Sequence, residues 1–266
     1  MFSARRTLEA YETEERKPTC FCAGYKWVYT AVAGELYMDR KFSRLASVYG
    51  EKAISFLAEK HVMIFGLGGV GGYAAEAIAR SGVGKITVVD FDMVNETNIN
   101  RQLCAASSTL NLNKADVTAQ RLSDINPSAV IVPRALRYTK DTRESFFADA
   151  PDYIIDAIDC VTDKIDLICE SIKRNIPIIS AMGAGNKTDA SAFKVSDISK
   201  TKMCPLAKVM RKELGIRGIK HLKVVFSEES PAVNSRVPGS TVWVVGTAGL
   251  MLGGEVVKDL IKEAEV

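Results

Sequence analysis

His61-Val62-Met63-Ile64-Phe65-Gly66-Leu67-Gly68-Gly69-Val70-Gly71 is the stretch on which the reading of this chain turns. Five β-prone residues run straight into glycines spaced G-x-G-G-x-G, and an alanine-rich stretch from Tyr73 to Arg80 follows. That order predicts a strand, a tight turn and a helix. Glycines at such a turn let the backbone approach phosphate oxygens, and the first helical turn offers unpaired N–H groups with a partial positive charge. Gly66, Gly68, Gly69 and Gly71 are therefore candidate phosphate-loop residues. Alone, the loop says only that a nucleotide binds. A nicotinamide-dependent oxidoreductase would carry it equally well.

Outward from the loop, strand and helix signals keep alternating. Ile86-Thr87-Val88-Val89 reads as a second buried strand, with Asp90 at its end placed to accept hydrogen bonds from a ribose. Lys114 to Ile125 reads as a helix with Ala115, Ala119, Leu122 and Ile125 apolar, stopped by Asn126-Pro127. Val130-Ile131-Val132, Tyr153-Ile154-Ile155 and Ile176-Pro177-Ile178-Ile179 read as further buried strands, and the helix between the last two sets Ile165, Ile168 and Ile172 on one face. This alternation implies right-handed βαβ units. The expected fold is α/β: a Rossmann-like doubly wound sheet, mainly parallel, with a C-terminal strand and helix extension. One domain over residues 38–266 is the economical division. Residues 1–37 carry Arg5, Arg6 and Arg16, but Glu9, Glu12, Glu14 and Glu15 spoil a transit-peptide pattern. They are expected to be an appendage, with the working protein beginning near Met38.

Composition narrows the class. Hydrophobic residues at 47% and charged residues at 25% are globular values in a chain of 266 residues. The six cysteines include no CxxC pair, which argues against zinc ribbons and fits free thiols in a reducing compartment, the cytoplasm. Cys104 and Cys160 read as small core residues. His61 and His221 leave no material for a multi-histidine metal site. Val237 to Gly254 runs without a charge and contains Gly249-x-x-x-Gly253, yet its glycines and hydroxyls make it only modestly apolar. A buried strand followed by a close-packed helix is the expectation, and peripheral membrane attachment is not favoured.

The chemistry lies in the seventy residues after the loop. Asp90-Phe91-Asp92 leads to Asn98-Ile99-Asn100-Arg101-Gln102, then Lys114, then Asp156-Ala157-Ile158-Asp159. A nicotinamide cofactor needs no such cations and carboxylate, whereas a nucleoside triphosphate does. Arg101 and Lys114 would neutralise phosphates and the charge developing at the α-phosphorus, and Asp159 would hold Mg2+. The order GxGGxG, DxDxV, NxxRQ, lysine, D-x-x-D resembles the ubiquitin-activating-enzyme-like adenylating enzymes over roughly residues 40 to 257. The resemblance implies that Gly66, Gly68, Gly69, Gly71, Asp90, Asp92, Asn98 and Gln102 bind ATP. It further implies that Arg101, Lys114 and Arg44 are catalytic, Arg44 reaching the nucleotide of the other subunit in a homodimer, and that Asp159 holds the metal.

Within that superfamily the sulfur-carrier activators typically carry two CxxC pairs, absent here. Lys202-Met203-Cys204-Pro205-Leu206-Ala207-Lys208-Val209-Met210-Arg211 and Val224-Val225-Phe226-Ser227-Glu228-Glu229 look instead like the tRNA threonylcarbamoyladenosine dehydratases. Independently, eight basic residues stand against the single acid Glu213 between Lys200 and Lys223, in a chain of net charge +3. Leu206, Val209, Met210 and Leu214 are expected to share one helix face, leaving Lys208, Arg211 and Lys212 free for phosphates. The expected tRNA contacts are Lys202, Lys208, Arg211, Lys212, Arg217 and Lys220, with no role for DNA. The implied reaction activates a carboxyl group as its adenylate, releases pyrophosphate and then AMP, and needs no enzyme nucleophile, although Cys204 is a thiol to watch. Three alternatives stand beside it: an activator of a ubiquitin-like or sulfur-carrier protein, with a carrier or cysteine-desulfurase partner; a nucleotide-sensing protein without turnover; and an oxidoreductase.

Overall fold

The computed structural model describes residues 29–32, 35–38, 40–233 and 238–264. The expectation for the segment before Met38 lies outside the described residues, except for an antiparallel hairpin of β1 (Tyr29–Val32) and β2 (Glu35–Met38). After it come α1 (Ser43–Tyr49), α2 (Glu51–Leu57), β3 (His61–Phe65), α3 (Gly71–Arg80), β4 (Lys85–Val89), α4 (Lys114–Ile125) and β5 (Val130–Arg134). Then follow α5 (Glu144–Phe147), β6 (Tyr153–Asp156), α6 (Val161–Lys173), β7 (Ile178–Ala181), β8 (Phe193–Asp197), α7 (Pro205–Ile216), β9 (Lys223–Ser227) and α8 (Val242–Ala264).

Seven strands form one sheet in the order β5-β4-β3-β6-β7-β9-β8, parallel except where β8 runs against β9. β3 pairs with β4 on one side and β6 on the other, so successive crossovers leave it in opposite directions. A crevice must open there, beyond the carboxyl ends of the strands. The period of two along β3 explains why both sheet faces are covered: Val62 and Ile64 join the core under α3, α4 and α8, while Met63 and Phe65 join the core under α6 and α7.

Three expectations change. β5 is half-exposed, because it is the sheet's edge strand and has a neighbour on one side only. In α6, Ile165 and Ile168 are buried but Ile172 is 39% exposed. The buried face runs through Lys164, Leu167, Ile168 and Ser171, the true i, i+3, i+4, i+7 set. In the uncharged C-terminal run, residues 242–254 begin α8, and no helix among the described residues is long and apolar enough to cross a membrane. Its glycines serve packing. A Cβ at Gly249 would lie 2.2 Å from the Val70 carbonyl oxygen, and one at Gly253 would lie 2.7 Å from Ala77 Cβ. α8 thus presses its backbone against α3, directly behind the phosphate loop.

Candidate functional site

A cavity of about 690 Å³ opens along the carboxyl ends of β4, β3, β6 and β7, where the topology requires it. Gly66, Gly68 and Gly69 line it. Gly66 stands at φ +85°, and a Cβ there would lie 2.6 Å from the Ala157 carbonyl oxygen. Only glycine fits where the β3 loop passes the end of β6. Gly71 does not line the cavity. A Cβ on it would meet the Gly66 carbonyl oxygen at 1.8 Å, so its part is to let the loop close on the first turn of α3.

Asp90 braces this loop from β4. Its carboxylate accepts from the Leu67 N–H at 2.7 Å and the Asp92 N–H at 2.9 Å. Burial pushes its carboxyl above the ordinary aspartate range, opposed by those two bonds. Lys114 opens α4, where the Asn113 side chain caps the helix by accepting from the Ala115 N–H at 2.8 Å. Its stem is buried, and its ammonium meets Asp92 at 2.9 Å at the cavity wall. Arg101 also reaches the cavity, steadied by bonds to the Thr97 carbonyl at 2.8 Å and Asn100 Oδ1 at 3.0 Å. Gln102 lines the wall, mostly buried. Asn98 departs from the expected contact with nucleotide. It is buried off the cavity, and its Oδ1 accepts from the Asn95 N–H to cap the short turn that carries Arg101.

The two carboxylates of D-x-x-D have opposite surroundings. Asp156 is fully buried, paired with Lys164 at 3.0 Å and accepting from Ser180 Oγ at 2.6 Å and the Ile158 N–H at 3.1 Å. The Lys164 ammonium also donates to the Ile158 carbonyl at 3.1 Å, so this pair fixes the backbone leading to Asp159. Asp159 itself is exposed at the cavity. Among the described residues no group of three or more His, Cys, Asp or Glu could cage a metal.

Sequence reasoning missed Lys164, although its helical spacing with Leu167, Ile168 and Ser171 marked a buried position. It also missed Arg137, which no pattern flags. That guanidinium lines the cavity, is held to Asp163 at 2.8 Å and lies 5.4 Å from the centre of the Phe91 ring. Cys160 is corrected. It is no core residue but half-buried at the cavity, with its sulfur 3.7 Å from Arg137 Nη2. Cys204 is buried at the start of α7, behind Gly183. Arg44 lies exposed on α1 and is not among the cavity residues of its own chain.

α7 begins at the cavity with Leu206 and carries the basic run away from it. Ala207, Met210 and Leu214 form its buried face, whereas Val209 is 46% exposed, contrary to expectation. Lys202, Lys208, Lys212 and Lys220 are exposed. Arg211 is not free: it is half-buried and donates to the Thr201 carbonyl at 3.0 Å and Thr201 Oγ1 at 2.5 Å, tying down the loop before the helix. Arg217 is exposed but donates to the Glu213 carbonyl at 2.6 Å and its carboxylate at 3.0 Å.

Known proteins resemble this chain in sequence and fold. The chain is 44% identical to the tRNA threonylcarbamoyladenosine dehydratase of Bacillus subtilis over 248 residues, which is 86% of this chain and 98% of that one. It superposes on the crystal structure of the Escherichia coli tRNA N6-threonylcarbamoyladenosine dehydratase in complex with AMP with a TM-score of 0.81. That match has 35% identity and covers 85% of this chain and 96% of the other. The complex of the same enzyme with ATP gives a TM-score of 0.80 at the same identity and coverage. The family model described as ThiF matches residues 39–266. The chain belongs to the ThiF family.

Proposed function

We propose that this protein is an ATP-dependent dehydratase of threonylcarbamoyladenosine in tRNA, with residues 38–266 as the adenylating domain. The observation that carries the reading is a single one. A glycine-loop cavity bearing Lys114, Arg101 and an exposed Asp159 adjoins, at Leu206, the start of a helix that carries exposed lysines. The first part suits a triphosphate, and the second suits a polyanion too large to enter.

In the reaction, a carboxylate oxygen of the threonyl group attacks the α-phosphorus of ATP. The bond from that phosphorus to the bridging oxygen breaks, and pyrophosphate leaves. The carbamoyl group of the same nucleoside then attacks the acyl carbon, loses its proton to solvent and expels AMP. The nucleoside is lighter by one water. Attack within one molecule supplies much of the second step's rate. The protein's work is therefore to bind, orient and neutralise charge. Gly68 and Gly69 leave room for phosphate oxygens, Asp90 takes the ribose hydroxyls with its remaining lone pairs, and Lys114 and Arg101 face the phosphates. Lys114 is paired with Asp92 in the resting site, and a triphosphate would compete for its ammonium. Arg44, supplied by a second copy of the chain, is the expected third cation.

Mg2+ fits this donor set. It keeps most of its waters and takes one or two carboxylates plus substrate phosphates, so a lone exposed Asp159 suffices where a caged metal would need more. Bound there, it would offset charge between phosphate oxygens.

The test is incubation with ATP, Mg2+ and tRNA bearing threonylcarbamoyladenosine, followed by digestion and mass spectrometry. A nucleoside lighter by one water, formed only with ATP, is the expected result. No mass change, with ATP consumed only when a carrier protein ending in Gly-Gly is added, would replace the reading with protein activation.

A further inference from the structure

We propose that Asn186 is a positioning residue: it pins the Pro238–Ser240 wall of the cavity against the end of β7, and through that wall sets how the acyl substrate, rather than ATP, is held. The inference rests on the reading above.

The cavity has two ends. Asp90 and the glycine loop bound one, beyond β4 and β3. Gly183 and Gly185 after β7, Leu206 at the start of α7, and Pro238 with Ser240 bound the other. A nucleotide at the first end leaves the second for the group that attacks its α-phosphorus, and α7 begins on that side. Pro238–Ser240 belong to the connection between β9 and α8, and they pair with no strand of the sheet. Among the described residues, their hydrogen bonds run mostly to one residue.

Asn186 supplies three. Its backbone N–H donates to the Gly239 carbonyl at 2.8 Å, its Oδ1 accepts from the Gly239 N–H at 2.6 Å, and its carbonyl accepts from the Ala232 N–H at 2.7 Å. It therefore holds both limbs of the connection at once. Asn100 Nδ2 adds a bond to the Ser240 carbonyl at 3.0 Å. The contact beneath is tight, since a Cβ on Gly185 would lie 2.8 Å from Pro238 Cβ. A wall seated this closely cannot shift outward without changing the shape of the second end.

The residue type follows from two demands together. Asn186 has φ +58°, a left-handed conformation that favours glycine and, among other residues, asparagine and aspartate. It must also present a short acceptor to Gly239. Glycine meets the first demand only, alanine neither, and aspartate both.

Asn186→Asp, Asn186→Gly and Asn186→Ala separate the cases. Expected is activity within about twofold of the parent for the aspartate variant. For the glycine and alanine variants, KM for the modified tRNA should rise about tenfold while ATP affinity, read by equilibrium binding, stays within about twofold. Hydrogen exchange at the Gly239 amide should quicken in the glycine and alanine variants and stay slow in the aspartate one. An aspartate variant as impaired as the glycine one, a parallel loss of ATP affinity, or unchanged exchange at Gly239 would each overturn the inference. If the parent protein leaves the nucleoside unchanged, the dehydratase reading fails and the substrate assignment with it, whereas exchange at Gly239 still decides whether Asn186 is the pin.

Discussion

Gly66 shows how much a single residue carries. Its φ of +85° and the Ala157 carbonyl at 2.6 Å from a would-be Cβ exclude any side chain. Gly66→Ala should cost about 1–3 kcal/mol of stability from backbone strain and weaken ATP binding beyond that, read by urea denaturation and equilibrium titration. Gly68 is the contrast. A Cβ there meets only Gln102 Nε2 at 3.7 Å, so Gly68→Ala should fold normally and lose ATP affinity alone. His61 gives a pH signature far from the cavity. Burial, the largest effect, and the nearby Lys85 cation hold its imidazole below 6.5, while its Nε2 bonds Thr87 Oγ1 at 2.8 Å. A group whose folded pKa is depressed stabilises above its unfolded value and loses that contribution as pH falls. Thermal stability should therefore drop as pH falls below 6.5, and His61→Gln should flatten the drop in melting scans from pH 5 to 8. At this scale the sequence places Gly66, Gly68, Gly69 and Asp90 at the cavity, because loop spacing and a strand end determine position, whereas Gly71 lies off it and serves to close the loop. Arg137 was not legible: what makes it matter is Asp163, 26 residues away in the chain.

Among the elements, α8 and α6 show where pattern reading succeeds and fails. The uncharged run reads as strand then helix because Thr241, Val242, Val244 and Val245 are β-branched and favour a strand. The structure makes one helix of residues 242–264, since a helix alone lets Gly249 and Gly253 meet α3 along one stripe. Gly249→Leu would force a side chain into the Val70 carbonyl and Tyr73 Cβ, which lie 2.2 and 2.7 Å from the Cβ position. Overpacking there should cost at least 1–3 kcal/mol, and because Val70 ends the phosphate loop, ATP affinity should fall with it. In α6 the isoleucine spacing points to the buried side of the helix, but the buried face is centred about one position away. Ile168→Ala should destabilise by about 2–5 kcal/mol and Ile172→Ala by less than about 0.5 kcal/mol, compared by urea midpoints. The difference arises because Lys164 lies inside the buried face. A lysine on a helix is taken as solvated until its partner is known, and Asp156 comes from a neighbouring strand.

For the whole molecule, the proposed function requires one chain to join a cavity to a large polyanion. The sheet supplies the link. β7 delivers Gly183 and Gly185 to the cavity, and β8 with its following loop returns the chain so that α7 starts beside them. The basic residues then divide by role in a way that composition could not separate. Arg211 is committed to Thr201 and Arg217 to Glu213, whereas Lys208 and Lys212 stand exposed on α7. Phosphate contacts made by exposed lysines act through released counterions, so each one contributes about one unit to the slope of log affinity against log salt. Lys208→Ala with Lys212→Ala should therefore weaken tRNA binding and flatten its salt dependence by about two units. ATP affinity should stay unchanged, because neither lysine lines the cavity. Arg211→Ala should behave differently, lowering the melting temperature through the loop it ties down, with a smaller change in salt slope. If the double lysine variant kept the parent's slope, tRNA would have to approach by another face, and the lysines of α7 would be only a solvated surface.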